Sequence, residues 1–442
     1  MKELLNKLLT TKDTLVVKEL LQYPPYDIAQ EVQNFKLKDQ IILLDTISDT
    51  QSSKILRHMG TDTQYNVLIK LSVDKAKILL NSQPIDDLIH LLLAIHPRQK
   101  DKLISYLDQD TKQKVKSLMA FKPETAGSLV TSDYITARGN WSVKIALKYI
   151  RNHSKSVESI SYIYILDNHG SLEGIVSMRE LLFSADEEIL SDIMIKNVIT
   201  VHAETNQQEV IKKISNYNLA AIPVITPNNK MIGIITFDDV MDVMESEATE
   251  DIQKLGGSEP LNQPYFESSI WSIFLKRIPW LLILFFAEAY TSSVMQRFEV
   301  EIETVVALAF FTALLVGTGG NTGTQVVATI TRAVGTGEVK FNDMFRVIRK
   351  EALIGILLGL SLGVAGLIRA YIQGVGIEVA QVVALTLVFI VIWASIIASA
   401  LPLILRKLKL DPAVVSGPFI TTFVDGTGLL IYFMLAKWIL NI

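Results

Sequence analysis

One carboxylate, Asp425, sits inside a long apolar run near the C-terminus, Pro418-Phe419-Ile420-Thr421-Thr422-Phe423-Val424-Asp425-Gly426-Thr427-Gly428. An unpaired carboxylate is costly in hydrocarbon, so such a residue faces a water-filled path and marks where ions travel. The glycines and the proline around it predict a broken helix, whose freed carbonyls are tolerated at membrane depth only where they line a cavity. A second run, Gly317-Thr318-Gly319-Gly320-Asn321-Thr322-Gly323-Thr324-Gln325, is too rich in glycine for an ordinary helix. It reads as a seam of small residues for close helix packing, as backbone opened so that carbonyls and the Asn321 amide meet a pore, or as both. The chemistry these residues point to is ion passage.

The elements that must position them are apolar spans. The chain has 442 residues, 49% of them hydrophobic, and the apolar share is concentrated after residue 270. Stretches 271–294, 305–334, 353–372, 379–405 and 414–440 are each long enough to cross a hydrocarbon core of about 30 Å. No charged tip followed by an apolar block opens the chain at Met1-Lys2-Glu3-Leu4-Leu5, so residues 1–270 are expected in the cytoplasm. Lys276, Arg277, Arg332, Lys340, Arg346, Arg349, Lys350, Arg406, Lys407 and Lys409 fall on one side, against Arg297, Arg369 and Lys437 on the other. That bias places the N-terminus inside and the C-terminus outside a multi-pass cell-membrane protein. With no cysteine, thiolate metal sites, disulfides and Cys nucleophiles are excluded. The net charge of −4 carries no basic stripe with interleaved aromatics, which argues against a nucleic-acid partner.

Residues 1–124 carry apolar positions at helical spacing in short segments, among them 15–23, 26–33, 39–47, 52–59 and 86–93, and suggest an all-α superhelix. From 125 to 240 the texture changes to strands and helices, and a repeat emerges. Its first copy ends in Gly174-Ile175-Val176-Ser177-Met178-Arg179-Glu180, its second in Gly233-Ile234-Ile235-Thr236-Phe237-Asp238-Asp239. Each copy runs strand, polar turn, strand, then a Ser or Thr helix cap with an acid three positions on. The copies resemble a tandem CBS pair, an α/β regulatory module that often binds an adenine nucleotide such as ATP. Ser177, Thr236 and Asp239 are then either nucleotide contacts or simple helix caps. Glu180 stands where such modules usually have Asp.

Residues 241–264 should form a connecting helix that stops at Gly256-Gly257, and 265–442 the membrane domain. Asp411, followed by Pro412, is expected to cap the fifth span. Glu351 can complement a helix dipole. Glu288, inside the first span, either lines an aqueous vestibule or pairs with a neighbour.

Several ordered motifs, Thr249-Glu250-Asp251-Ile252-Gln253-Lys254-Leu255-Gly256, Gly317 to Gly323, Asp411-Pro412-Ala413 and Phe423 to Tyr432, are similar to those of the MgtE family of magnesium channels. The order of parts matches too: helical N domain, CBS pair, connecting (plug) helix and five-helix pore domain. The resemblance implies a homodimer in the lipid bilayer with a pore on its two-fold axis. Asp425 of each subunit would face its twin, with the Thr421 carbonyl and Asn321 side chain nearby holding hydrated Mg²⁺. Mg²⁺ sheds water reluctantly, which suits a cage that grips the ion through its shell. It also implies gating by cytosolic Mg²⁺ bridging Asp87, Asp239, Asp242, Glu247, Glu250 and Asp251. Without ions, two carboxylates about 6 Å apart repel by roughly 3 kcal/mol at an effective dielectric near 20. Asn206, Gln208 and Asn218 stand where relatives carry acids, so weaker regulation is expected.

Other classes fare worse. A membrane metalloprotease needs His-Glu-x-x-His, yet His58, His90, His96, His153, His169 and His202 all precede the first span and form no such motif. A CBS-regulated transporter of another divalent cation or another solute is the alternative, and the acidic position favours a cation. The chain is not expected to be an enzyme.

Overall fold

A computed structural model describes residues 1–153, 160–261, 265–266, 268–414 and 416–442. It divides into two compact units, Met1–Met244 and Glu245–Ile442. The end of the expected connecting segment, 262–264, and Val415 within the expected fifth span lie outside the described residues.

The first unit opens with short helices α1 (Lys2–Thr11), α2 (Thr14–Leu20), α3 (Pro25–Val32), α4 (Leu37–Thr46), α5 (Asp49–Leu56), α6 (Thr61–Leu68), α7 (Val73–Asn81), α8 (Ile85–Ala94), α9 (Pro97–Ile104) and α10 (Gln109–Leu118). Each buries one apolar stripe, as Ile28, Ala29 and Val32 do in α3. Two buried glutamines brace successive turns in the same way. Gln40 Nε2 donates to the carbonyls of Gln33 and Phe35 at 3.0 and 2.9 Å. Gln64 Nε2 donates to Arg57 and Met59 at 3.3 and 2.7 Å. Carbonyls left over at the end of one helix are thereby satisfied from the next, the mark of a repeating stack.

Two equivalent sheets follow. In the first, β1 (Ile135–Ala137) runs parallel to β2 (Tyr162–Leu166), which pairs antiparallel with β3 (Leu172–Ser177). In the second, β4 (Val201–His202), β5 (Ala221–Ile225) and β6 (Met231–Thr236) repeat that pattern. The register slips at the same place in both hairpins, after Ile165 and after Val224. A glycine stands opposite each slip because backbone crosses there. A Cβ on Gly174 would lie 2.9 Å from the Ile195 carbonyl, and one on Gly233 2.4 Å from that of Thr131. Helices α11 (Val143–His153), α12 (Met178–Phe183), α13 (Leu190–Ile193) and α14 (Gln207–Tyr217) complete the module. Then α15 (Phe237–Leu255) runs on without a break as the connecting helix, ending at Gly257 with φ +73°.

Among the described residues the second unit holds five helices long and apolar enough to cross a membrane. They are α16 (Ile270–Arg297), α18 (Ala309–Thr336), α19 (Met344–Ile372), α20 (Ile377–Lys407) and α21 (Gly417–Leu440), with a short α17 (Glu299–Thr304) after the first. Two expectations are corrected. The glycine-rich run 317–325 lies within unbroken helix in α18, and Pro418 sits in the first turn of α21, where its missing N–H costs nothing. In apolar surroundings the helical ladder is the cheapest way to satisfy every backbone group, so the glycines serve packing. A Cβ on Gly319 would lie 2.5 Å from Ile390 Cγ2 and 2.8 Å from Val424 Cγ1. One on Gly323 would lie 2.4 Å from Ile420 Cγ2. Along α19, Gly355, Gly359, Gly363 and Gly366 form a comparable seam against α20.

Candidate cation path and acidic clusters

Asp425 lies two turns into α21. The cap of that helix is Ser416, whose Oγ accepts from the Phe419 N–H at 3.3 Å and from the Trp280 indole at 3.1 Å. Asp411, expected as that cap, instead closes a short 3-10 turn over Pro412–Val414, accepting from the Ala413 N–H at 2.9 Å. The extra turn pushes the helix start downstream, so the Ser-Gly-Pro signal wins over Asp-Pro.

The Asp425 side chain is 8% exposed, and among the described residues its Oδ1 has no hydrogen-bond partner. Burial of an unsatisfied carboxylate oxygen is costly without a counter-ion. Next to it, a Cβ on Gly426 would fall 2.3 Å from the Tyr290 ring and 3.3 Å from Thr291 Oγ1. Helix α16 therefore crosses α21 at the acid itself. One turn earlier, Thr421 places its hydroxyl 3.4 Å from that of Thr324 and its methyl over Gly320. Its carbonyl belongs to continuous helix. Asn321, beside Gly320 on α18, is exposed on the protomer surface.

In the first unit, Asp87 of α8 and Asp239 and Asp242 of α15 come within electrostatic range of one another. Asp86, which adjoins Asp87, joins them. Burial, reinforced by the neighbouring carboxylates, pushes Asp86, Asp87 and Asp239 each up to about 6. Arg57 offsets part of this at Asp87, 3.9 Å away. Burial also lowers His58, with Arg57 adding to it and Asp242 opposing. Among the described residues no three His, Cys, Asp or Glu side chains are arranged to hold a metal ion directly.

In the second unit, Glu247, Glu250 and Asp251 lie near the end of α15. Lys254 bridges two carboxylates: its Nζ reaches Asp411 at 2.6 Å and also pairs with Glu250. Burial works against its charge, but those hydrogen bonds overcome it and hold the ammonium well above its usual range. Asp251 is raised by burial and by the charges of Asp411 and Glu247, against Lys254 and Arg332.

At the repeat, Ser177 and Glu180 form a reciprocal capping box at 3.0 and 3.1 Å. Thr236 donates to Asp239 from its hydroxyl at 2.6 Å and its N–H at 3.2 Å. Ser177 thus serves as a helix cap in this structure, while Thr236 and Asp239 are tied to each other at the start of α15.

Comparison with known proteins completes the picture. Models of the MgtE intracellular N domain, the CBS domain and the MgtE divalent cation transporter match residues 23–124, 126–187 with 190–246, and 312–435 in turn. The magnesium transporter MgtE of Thermus thermophilus is 34% identical over 441 residues, 99% of this chain and 98% of that protein. The magnesium transporter MgtE of Bacillus subtilis is 32% identical, covering 93% and 91%. A crystal structure of the cytosolic domain of the Mg²⁺ channel MgtE in complex with ATP covers 55% of this chain and 100% of its own at 28% identity, with a TM-score of 0.52. Matched module by module and along nearly its whole length, the chain belongs to the MgtE family of magnesium transporters.

Proposed function

We propose that the chain carries Mg²⁺ into the cell as a homodimer in the cell membrane, N-terminus in the cytoplasm and C-terminus outside, with the ion passing Asp425 on the two-fold axis. The observation that carries this reading is the buried, unsatisfied Oδ1 of Asp425 in a membrane helix. A carboxylate from each subunit, with the exposed Asn321 amide and the Thr421 region beside it, grips a dication through its water shell. Selectivity then comes from the width of that cage rather than from direct coordination. Reconstituted liposomes supplied with Mg²⁺, Mn²⁺, Co²⁺ and Ni²⁺ in turn test it: saturable Mg²⁺ influx is expected, and its absence overturns the reading.

Cytosolic Mg²⁺ closes the path by binding at Asp87, Asp239 and Asp242 and at Glu247, Glu250 and Asp251. Asp87 and Asp239, with their neighbour Asp86, sit at about 6, against 3.8 for a free aspartate. Raised native values mean that the folded chain holds protons the unfolded chain releases. Their contribution to stability is complete below the unfolded value and is lost as pH rises through 6. At pH 7.5 the group is charged and repulsive, and a bound dication supplies the missing positive charge. Mg²⁺ therefore raises the melting temperature of the full-length protein at pH 7.5 and does so much less at pH 5.5. An equal effect at both pH values removes this group from the sensor.

ATP is the ligand we assign to the CBS pair, on the strength of the related cytosolic domain crystallised with it. Binding would have to share Thr236 and Asp239 with the α15 cap. Calorimetric titration should register ATP binding to the wild type and a loss in Thr236→Val; no heat from the wild type leaves the pair as a scaffold.

A further inference from the structure

Asp425 has an acidic companion on another helix. Glu288 lies in α16, within the first membrane span, and comes within electrostatic range of Asp425. The helix crossing explains why. Gly426 has no side chain, so α16 seats Tyr290 and Thr291 directly against α21. Glu288 is three residues before Thr291 and shares its face of the helix.

Two polar atoms at this crossing lack partners among the described residues: Asp425 Oδ1, on a side chain more than nine-tenths buried, and Thr291 Oγ1. Neither Glu288 nor Asp425 takes part in an ion pair among the described residues. Glu288 itself is exposed on the protomer, on a helix whose apolar window is otherwise uncovered. Two carboxylates and a hydroxyl lie at this crossing or within one helical turn of it. A hydrated divalent cation meets every one of those demands, because its water shell donates hydrogen bonds to all three oxygens.

We infer that Glu288 is a second acidic ligand of the permeating ion, acting with Thr291 and Asp425 through the ion's water shell, and that it sets the preference for divalent over monovalent cations. The inference rests on the proposed ion path past Asp425 and adds to it a residue from a different span. Two negative charges per subunit favour a doubly charged ion over Na⁺ more than one charge does, since attraction scales with the product of charges.

The test is reconstituted uptake in the full-length protein with Glu288→Gln, Glu288→Ala, Glu288→Asp and, in parallel, Asp425→Asn. A unit charge facing a dication across one water layer, about 6 Å at a water-like dielectric, is worth about a factor of ten. Glu288→Gln is therefore expected to raise the KM for Mg²⁺ about tenfold, with little change in maximal rate, and to admit Na⁺ competition. Glu288→Asp keeps the charge and retains wild-type KM. Should the Gln variant not fold, Glu288→Ala deletes the same charge. Wild-type KM and ion preference in both neutral variants, with Asp425→Asn inactive, overturn the role of Glu288 and leave the path standing. Equal defects in the Asp and Gln variants also overturn it, because shape and not charge would be responsible. Normal transport by Asp425→Asn overturns both readings.

Discussion

Replacement of Asp425 by Ala should abolish Mg²⁺ uptake into liposomes, and Asp425→Asn should do nearly the same while leaving the protein folded. Charge-assisted hydrogen bonds between a carboxylate and the aqua ligands of a dication are worth about 3 kcal/mol, so their loss reduces uptake at least about a hundredfold. Stability should move the other way. The carboxylate is buried with an unsatisfied oxygen, an arrangement that costs the fold. Asn removes the charge at constant shape, so the variant should melt in detergent at the wild-type temperature or above it. Transport at the wild-type rate would reject the path past this residue. A variant that melts far below wild type would show that the acid holds the fold together through a partner.

Replacement of Gly319 by Leu should be the most damaging change in the membrane domain that touches no polar group. The position faces two β-branched side chains from two helices, Ile390 of α20 and Val424 of α21, and even a single added carbon would come within 2.5 and 2.8 Å of them. Branched side chains cannot rotate away cheaply, so the helices must separate. Overpacking of this kind costs about 1–3 kcal/mol, and a leucine on a three-helix contact falls at the upper end. The variant should lose its monodisperse elution in detergent and melt lower, and Ile390→Ala in the same chain should recover part of the loss. Failure of that second change to help would mean that the seam is not what the glycine protects.

The five spans were legible because a membrane segment announces itself by length and apolarity alone, and the duplicated module because its glycines and caps recur in step. Helix bounds along 344–372 were not: the expected start at 353 stopped at the charged turn around Arg346, Arg349 and Lys350, which continues the helix beyond its apolar part. The glycine run at 317–325 was legible as a seam but not as continuous helix, since the same residues that permit a break also permit close packing, and only the neighbouring helices decide. Pro418 was misplaced for a related reason. Whether a proline breaks a helix or starts one depends on where the cap lies, and two cap signals, at Asp411 and at Ser416, compete within a few residues. Asp425 could be singled out from its own span. Its companion Glu288 could be noticed but not assigned, because which faces of two helices meet is absent from either helix alone.

Ser416 receives hydrogen bonds from both Phe419 and Trp280, so α16 and α21 are joined at one oxygen. Sliding one helix along the other breaks the Trp280 bond and costs about 1 kcal/mol, whereas tilting about it costs the joint nothing. Motion at this end is therefore angular, with the oxygen as pivot. At 1.5 Å rise per residue the Asp425 carboxylate stands about 14 Å from the pivot, and a tilt of about 10° carries it about 2 Å. That distance approaches the diameter of a water molecule, enough to admit or expel one shell of solvent around an ion.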